Sequence, residues 1–107
     1  MAVARVAYWK FKPGQREKGK RLRDAMGDMF SFPGVVGAIW LDSVEDADTR
    51  LSFVIFESRE ALEANGKDPR FRKGLEPMAA LVERLPPELH TYEVDLARLK
   101  APVGETP

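Results

Sequence analysis

The stretch Phe32-Pro33-Gly34-Val35-Val36-Gly37-Ala38-Ile39-Trp40-Leu41-Asp42 constrains the fold more than any other. Pro33-Gly34 stops a helix and turns the chain into a strand. A strand wet on one side alternates apolar and polar residues. This one sorts Val35, Gly37, Ile39 and Leu41 to one face and Val36, Ala38, Trp40 and Asp42 to the other, so both faces need cover. A chain of 107 residues is one domain. Its own helices can cover one sheet face, and a second subunit is expected on the other.

The rest of the chain fits around that strand. Val3, Arg5, Ala7, Trp9 and Phe11 alternate with Ala4, Val6, Tyr8, Lys10 and Lys12, a first strand closed by Pro13-Gly14. Leu22, Ala25, Met26 and Met29 recur at helical spacing, which predicts a helix from about Gln15 to Phe30. Gly19 and Gly27 inside it are either close backbone approaches or weak spots. After the opening strand, the acidic run from Ser43 reads as a hairpin loop, and Leu51 to Phe56 as a third strand apolar on both faces.

Ser58 caps a short helix that stops near Gly66, and Asp68-Pro69 starts another. The stripe Phe71, Leu75, Met78, Val82 and Leu85 continues in register past Pro77 and predicts a single bent helix up to Pro86-Pro87. Leu89 to Leu96 is the fourth strand. The order β-α-β-β-α-β with right-handed crossovers is an α+β, ferredoxin-like fold: a four-stranded antiparallel sheet with two helices on one face. The domain spans residues 1–96, and residues 97–107 read as a flexible C-terminal tail. Two such sheets packed face to face make a dimeric α/β barrel, so a homodimer through the bare sheet face is expected.

Composition narrows the chemistry. There is no cysteine, which excludes disulfides, thiolate metal sites and Cys nucleophiles. Basic and acidic residues balance at 17 each, which argues against nucleic acid as a partner. The cluster Lys10, Lys12, Arg16, Lys18, Lys20, Arg21 and Arg23 reads as a solvated helix face. Met1 to Arg5 holds no apolar signal segment and no run is long enough to span a membrane, so a cytoplasmic location is expected. His90 is the sole histidine and reads as structural or surface. No phosphate-binding glycine loop, nucleophile elbow or metal-ligand spacing occurs. No catalytic residue, metal or cofactor is assigned. What remains is aromatic and soft: Tyr8, Trp9, Trp40, Phe53 and Phe56 on strands, Met26, Met29, Phe71 and Met78 on helices. They read as core, or as walls of a pocket between sheet and helices for a flat hydrophobic ligand, with Ser52 as the small polar group on its floor.

Phe11-Lys12-Pro13-Gly14, Phe32-Pro33-Gly34-Val35, Phe56-Glu57-Ser58-Arg59-Glu60-Ala61-Leu62 and Asp68-Pro69-Arg70-Phe71 occur in an order and at spacings that matter together. They resemble the antibiotic biosynthesis monooxygenase domain, a dimeric α/β barrel family, over residues 3–96. The resemblance implies cofactor-free oxidation of phenolic or quinol-like aromatics. In quinone-forming members the third strand carries an Asn and, four residues on, a Trp. Those positions match Ser52 and Phe56 here, and Asn65 stands where a His or Trp often lies on the following helix. Haem-degrading members use a Trp there and a His near Leu75. This chain has neither, so haem is not expected.

The pocket candidates are thus Tyr8, Trp9, Met29, Trp40, Ser52, Phe56, Asn65 and Phe71. Arg70 or Arg72 would add charge if turned inward, though solvent is the expected place for both. The functional expectation is a monooxygenase-like protein acting on or binding a small phenol or quinol. The alternative is a non-catalytic barrel that holds a hydrophobic metabolite or serves a stress or regulatory role.

Overall fold

The first strand, β1 (Val3–Lys10), is the centre of the molecule, hydrogen-bonded on both sides. The computed structural model describes residues 1–25 and 29–104, of residues 25 and 29 the backbone alone. β1 is followed by α1 (Arg16–Ala25), β2 (Val35–Asp42), β3 (Thr49–Phe56), α2 (Arg59–Lys67), α3 (Pro69–Leu75) and β4 (Glu88–Glu93). Two 3₁₀ turns, Met29–Ser31 and Glu76–Met78, lie between them. The four strands form one antiparallel sheet in the order β2-β3-β1-β4, the ferredoxin-like arrangement.

One departure from the expected elements has a local cause. The bent helix through Pro77 is instead α3 and a 3₁₀ turn. Proline has no N–H and clashes with the preceding turn. The chain then straightens, and Val82 bridges to Phe11 where a continued helix would have kept it away. Leu85, the last residue of the predicted stripe, is exposed. Of the predicted helix over 15–30, the described residues show α1 up to Ala25 and a 3₁₀ turn from Met29; Met26, Gly27 and Asp28 lie outside the described residues. Among the described residues no helix is long and apolar enough to cross a membrane.

Register sorts the faces. Rows across the sheet read Trp40–Ser52–Ala7–Leu89 and Ala38–Val54–Arg5–Thr91 on the side of the helices. The rows Ile39–Phe53–Val6–His90 and Gly37–Ile55–Ala4–Tyr92 lie on the other side, on which no helix among the described residues packs and where Val6 is buried while Ile39, Phe53 and Ile55 are half-buried. Simple alternation puts Val35 with Gly37, and the structure corrects this. A bulge between Val35 and Gly37 adds a residue, so Val35 packs with Val3, Val54 and Phe56 on the helix side, while Val36 stays exposed. Gly34 enters the bulge at φ +83°, and a Cβ there would strike that of Ala61, so this turn accepts glycine alone.

The buried apolar residues form two clusters at opposite ends of β1. One holds Phe11, Met78, Leu81 and Val82, with Trp9 and Leu22 against it. The other holds Val3, Val54 and Phe56, with Val35, Ala61 and Leu62 against it. Gly19 brings α1 onto the first cluster: a Cβ there would overlap the ring of Phe11. Between the clusters the helix face of the sheet is not filled.

Candidate functional site

That unfilled space is a cavity of about 320 Å³. Its floor is the strand rows of Arg5, Ala7 and Trp9 with Arg50, Ser52 and Val54, and Trp40 stands beside Ser52 on β2. Phe32, Phe71, Leu75 and Met78 close it from the helix side, and Pro86, Pro87 and Leu89 line it from the β4 side. The walls are mostly aromatic or aliphatic carbon, as in small-molecule sites.

Several of the polar groups are held by hydrogen bonds. Trp9 Nε1–H donates to Ser52 Oγ at 3.0 Å. Ser52 is 6% exposed. Its oxygen is the acceptor in that bond, so its own O–H proton is directed elsewhere. Arg5 donates through Nη1 to Asn65 Oδ1 at 2.8 Å and through Nη2 to the Leu62 carbonyl at 3.0 Å. Its guanidinium lies 5.2 Å from the Phe56 ring centre and 5.0 Å from that of Phe71. Arg50, 3% exposed, donates through Nε to Asp42 Oδ1 at 2.7 Å and faces the Phe11 ring.

Arg23 lies over Trp40 and is paired with Asp24; Arg70 lies over Phe32 and is paired with Asp68. Among the described lining residues every arginine therefore stacks on an aromatic ring, and none is acidic. The cavity favours flat, electron-rich or anionic groups. Among the described residues it holds no histidine or carboxylate to serve as a general base. Among the described residues, no cluster of three or more His, Asp or Glu side chains could hold a metal.

Of the residues singled out from sequence, Trp9, Trp40, Ser52 and Phe71 line the cavity together. Asn65, 7% exposed, lies behind them and fixes Arg5. Phe56 is fully buried in the cluster at the end of β1, behind Arg5. Tyr8 points to the opposite sheet face, because it is one residue out of phase with Ala7 and Trp9; there its ring meets His90 edge-on. The Met29 side chain lies outside the described residues. Arg70 reaches the cavity while remaining largely exposed, and Arg72 does not line it.

The family model of antibiotic biosynthesis monooxygenases matches residues 2–77, well over half of the chain. The chain belongs to the antibiotic biosynthesis monooxygenase family. Solved structures agree on the fold. A putative antibiotic biosynthesis monooxygenase from Chloroflexus aurantiacus is 19% identical, with a TM-score of 0.71 over 99% of this chain and 97% of that one. Another from Nitrosomonas europaea is 15% identical, with a TM-score of 0.76 over 87% and 89%. SnoaB from Streptomyces nogalater, described as a cofactor-independent oxygenase, is 13% identical, with a TM-score of 0.75 over 90% and 95%. No curated protein matches the chain.

Within this antibiotic biosynthesis monooxygenase fold, sequence reasoning passed over Arg5 and Arg50. Both are charged residues in phase with an otherwise apolar strand face, Arg5 with Ala7 and Trp9, Arg50 with Ser52 and Val54. That phase was the available signal, since a solvated arginine would fall on the polar side of an alternating strand. Phe32 was read only as part of a turn; it too faces the cavity.

Proposed function

We propose that the cavity binds a small phenol or quinol and oxidises it with dioxygen, without metal or flavin. The observation that carries this reading is the Trp9–Ser52 hydrogen bond at the floor of an aromatic cavity, which leaves the serine proton free to be donated to a bound oxygen. A phenolate is the electron donor in such chemistry. It passes one electron to dioxygen, the resulting radical and superoxide join through a new C–O bond on the ring, the peroxide anion takes up one proton from solvent to replace the one the phenol lost, and the hydroperoxide loses water as its O–O and C–H bonds break. Phenol and dioxygen thus become quinone and water, and all four electrons taken up by dioxygen come from the substrate.

The protein's part is electrostatic. Ser52 stabilises the phenolate oxygen, the stacked arginines favour the anion, and the apolar walls keep water out. With no general base among the described lining residues, the substrate enters already ionised. An oxygen electrode with a panel of naphthols and anthrones tests this. Oxygen uptake with formation of the quinone in equal amount is expected.

The absence of a base among the described lining residues also favours a second reading, a binding protein for the same ligands. Saturable binding without oxygen uptake across the panel would select it.

We also infer a homodimer through the uncovered sheet face. Ile39, Phe53, Ile55 and Val6 form its centre, with Tyr8, Leu41 and Tyr92 exposed around them. An apolar face of this kind on a small domain calls for a partner surface, and a second copy offers the same flat sheet.

A further inference from the structure

Arg5 differs from the other arginines of the cavity. Arg23, Arg50 and Arg70 each have a carboxylate partner, in Asp24, Asp42 and Asp68. Arg5 has none among the described residues: its two bonds go to the neutral Asn65 amide and the Leu62 carbonyl. Arginine stays protonated in proteins, so among the described residues the cavity carries one uncompensated positive charge. Burial works against that charge, pulling the Arg5 pKa down. The carbonyl of Leu62, in α2, and the rings of Phe56 and Phe71 offset only part of this cost.

Two of the five guanidinium N–H donors are used. Those two bonds fix the group, and at least one donor on each terminal nitrogen, together with Nε–H, is left for a ligand.

The geometry points to Arg5 as the counter-charge for a carboxylate on the aromatic ligand, so that the cavity selects aromatic acids over their neutral counterparts. This rests on the cavity's being an aromatic-binding site. The fork of a guanidinium matches a planar carboxylate. A single uncompensated charge suits a monoanion, because a phosphate dianion would leave net negative charge among apolar walls. Ser52 lies in the adjacent row of the sheet, in the pair Ala7–Ser52 beside Arg5–Val54. A ligand that gives its hydroxyl to Ser52 thus has room to reach Arg5 with a second polar group.

The test is calorimetric titration at neutral pH with 2-naphthoate and 2-naphthamide, which differ in charge and hardly in shape. The intact protein is expected to bind the naphthoate at least tenfold more tightly, the scale of a charge-assisted hydrogen bond. In Arg5→Gln that preference should fall below threefold, and Arg5→Lys, which retains the charge, should keep part of it. Equal or tighter binding of the amide by the intact protein would overturn the inference and leave aromatic binding standing. Binding of neither would overturn both. A preference that survives in folded Arg5→Gln would assign the carboxylate to another cation. Should Arg5→Gln fail to fold, the comparison of the two ligands on the intact protein and Arg5→Lys still decides.

Discussion

Trp9 and Ser52 sit diagonally on neighbouring strands, two residues out of register, and the indole N–H reaches the serine oxygen at 3.0 Å. The bond ties two polar side chains of the floor to each other and turns the hydroxyl proton away from the indole.

Replacing Ser52 by Ala strands the Trp9 N–H in a largely buried place. A loss of about 1–3 kcal/mol in stability is expected, read as a lower urea midpoint. If Ser52 holds the phenolate, the same change also lowers kcat for oxygen uptake by about 100-fold. A variant with unchanged kcat would remove Ser52 from the chemistry.

Gly19→Ala should destabilise the fold although alanine is the better helix former. The helix gain is about 1 kcal/mol. The new methyl overlaps the fully buried Phe11 ring, and overpacking of this kind costs about 1–3 kcal/mol. Chemical denaturation should show a lower midpoint at unchanged slope. A more stable variant would mean that the contact between α1 and Phe11 is looser than described.

Three aspartates set the acid limit of the fold. Hydrogen bonding to Arg50 holds the Asp42 carboxyl below the usual carboxylate range. Asp46 is lowered first by Lys10, then by the Asp48 backbone and Thr49, and Asp68 by the side chain and backbone of Arg70. A depressed native pKa gives stability that is complete above the unfolded value, about 3.9, and is lost as pH falls through the native one. Thermal melts should therefore be level from pH 7 to 5 and fall steeply below pH 4. Asp42→Asn should lower the neutral-pH Tm and flatten the acid branch. An acid branch identical to wild type would exclude Asp42 from it.

Ile39→Glu puts a charge at the centre of the uncovered sheet face, in the row Ile39–Phe53–Val6–His90. Sedimentation velocity at micromolar concentration should show a dimer for the wild type and a monomer or aggregate for the variant. A wild-type monomer would contradict the dimer outright.

Much of the fold was legible because period-2 and period-3.6 patterns survive wherever a face is buried. The four strands, the Ser58 and Asp68 caps and the glycine turns follow from such patterns, and both caps hold the expected backbone bonds. Alternation could not reveal the bulge at Val35, since an inserted residue leaves both flanking patterns intact. It could not end the helix at Pro77 either, because the stripe through Met78 and Val82 is apolar in both conformations. At the cavity, Trp9, Trp40, Ser52 and Phe71 were readable as aromatic and polar exceptions on strand or helix faces. Arg5 was not, because its place depends on Asn65 and Leu62, some 60 residues away in sequence.

The central claim is that the cavity between sheet and helices is where an aromatic ligand binds. The two tryptophans of the chain, Trp9 and Trp40, both line it, and Ala7 lies on its floor between them and Arg5. Titrating tryptophan emission with a dihydroxyanthrone should give saturable, one-to-one quenching in the wild type and none in Ala7→Phe, whose ring fills the cavity. Quenching that never saturates, or that is unchanged in a folded Ala7→Phe, would contradict it.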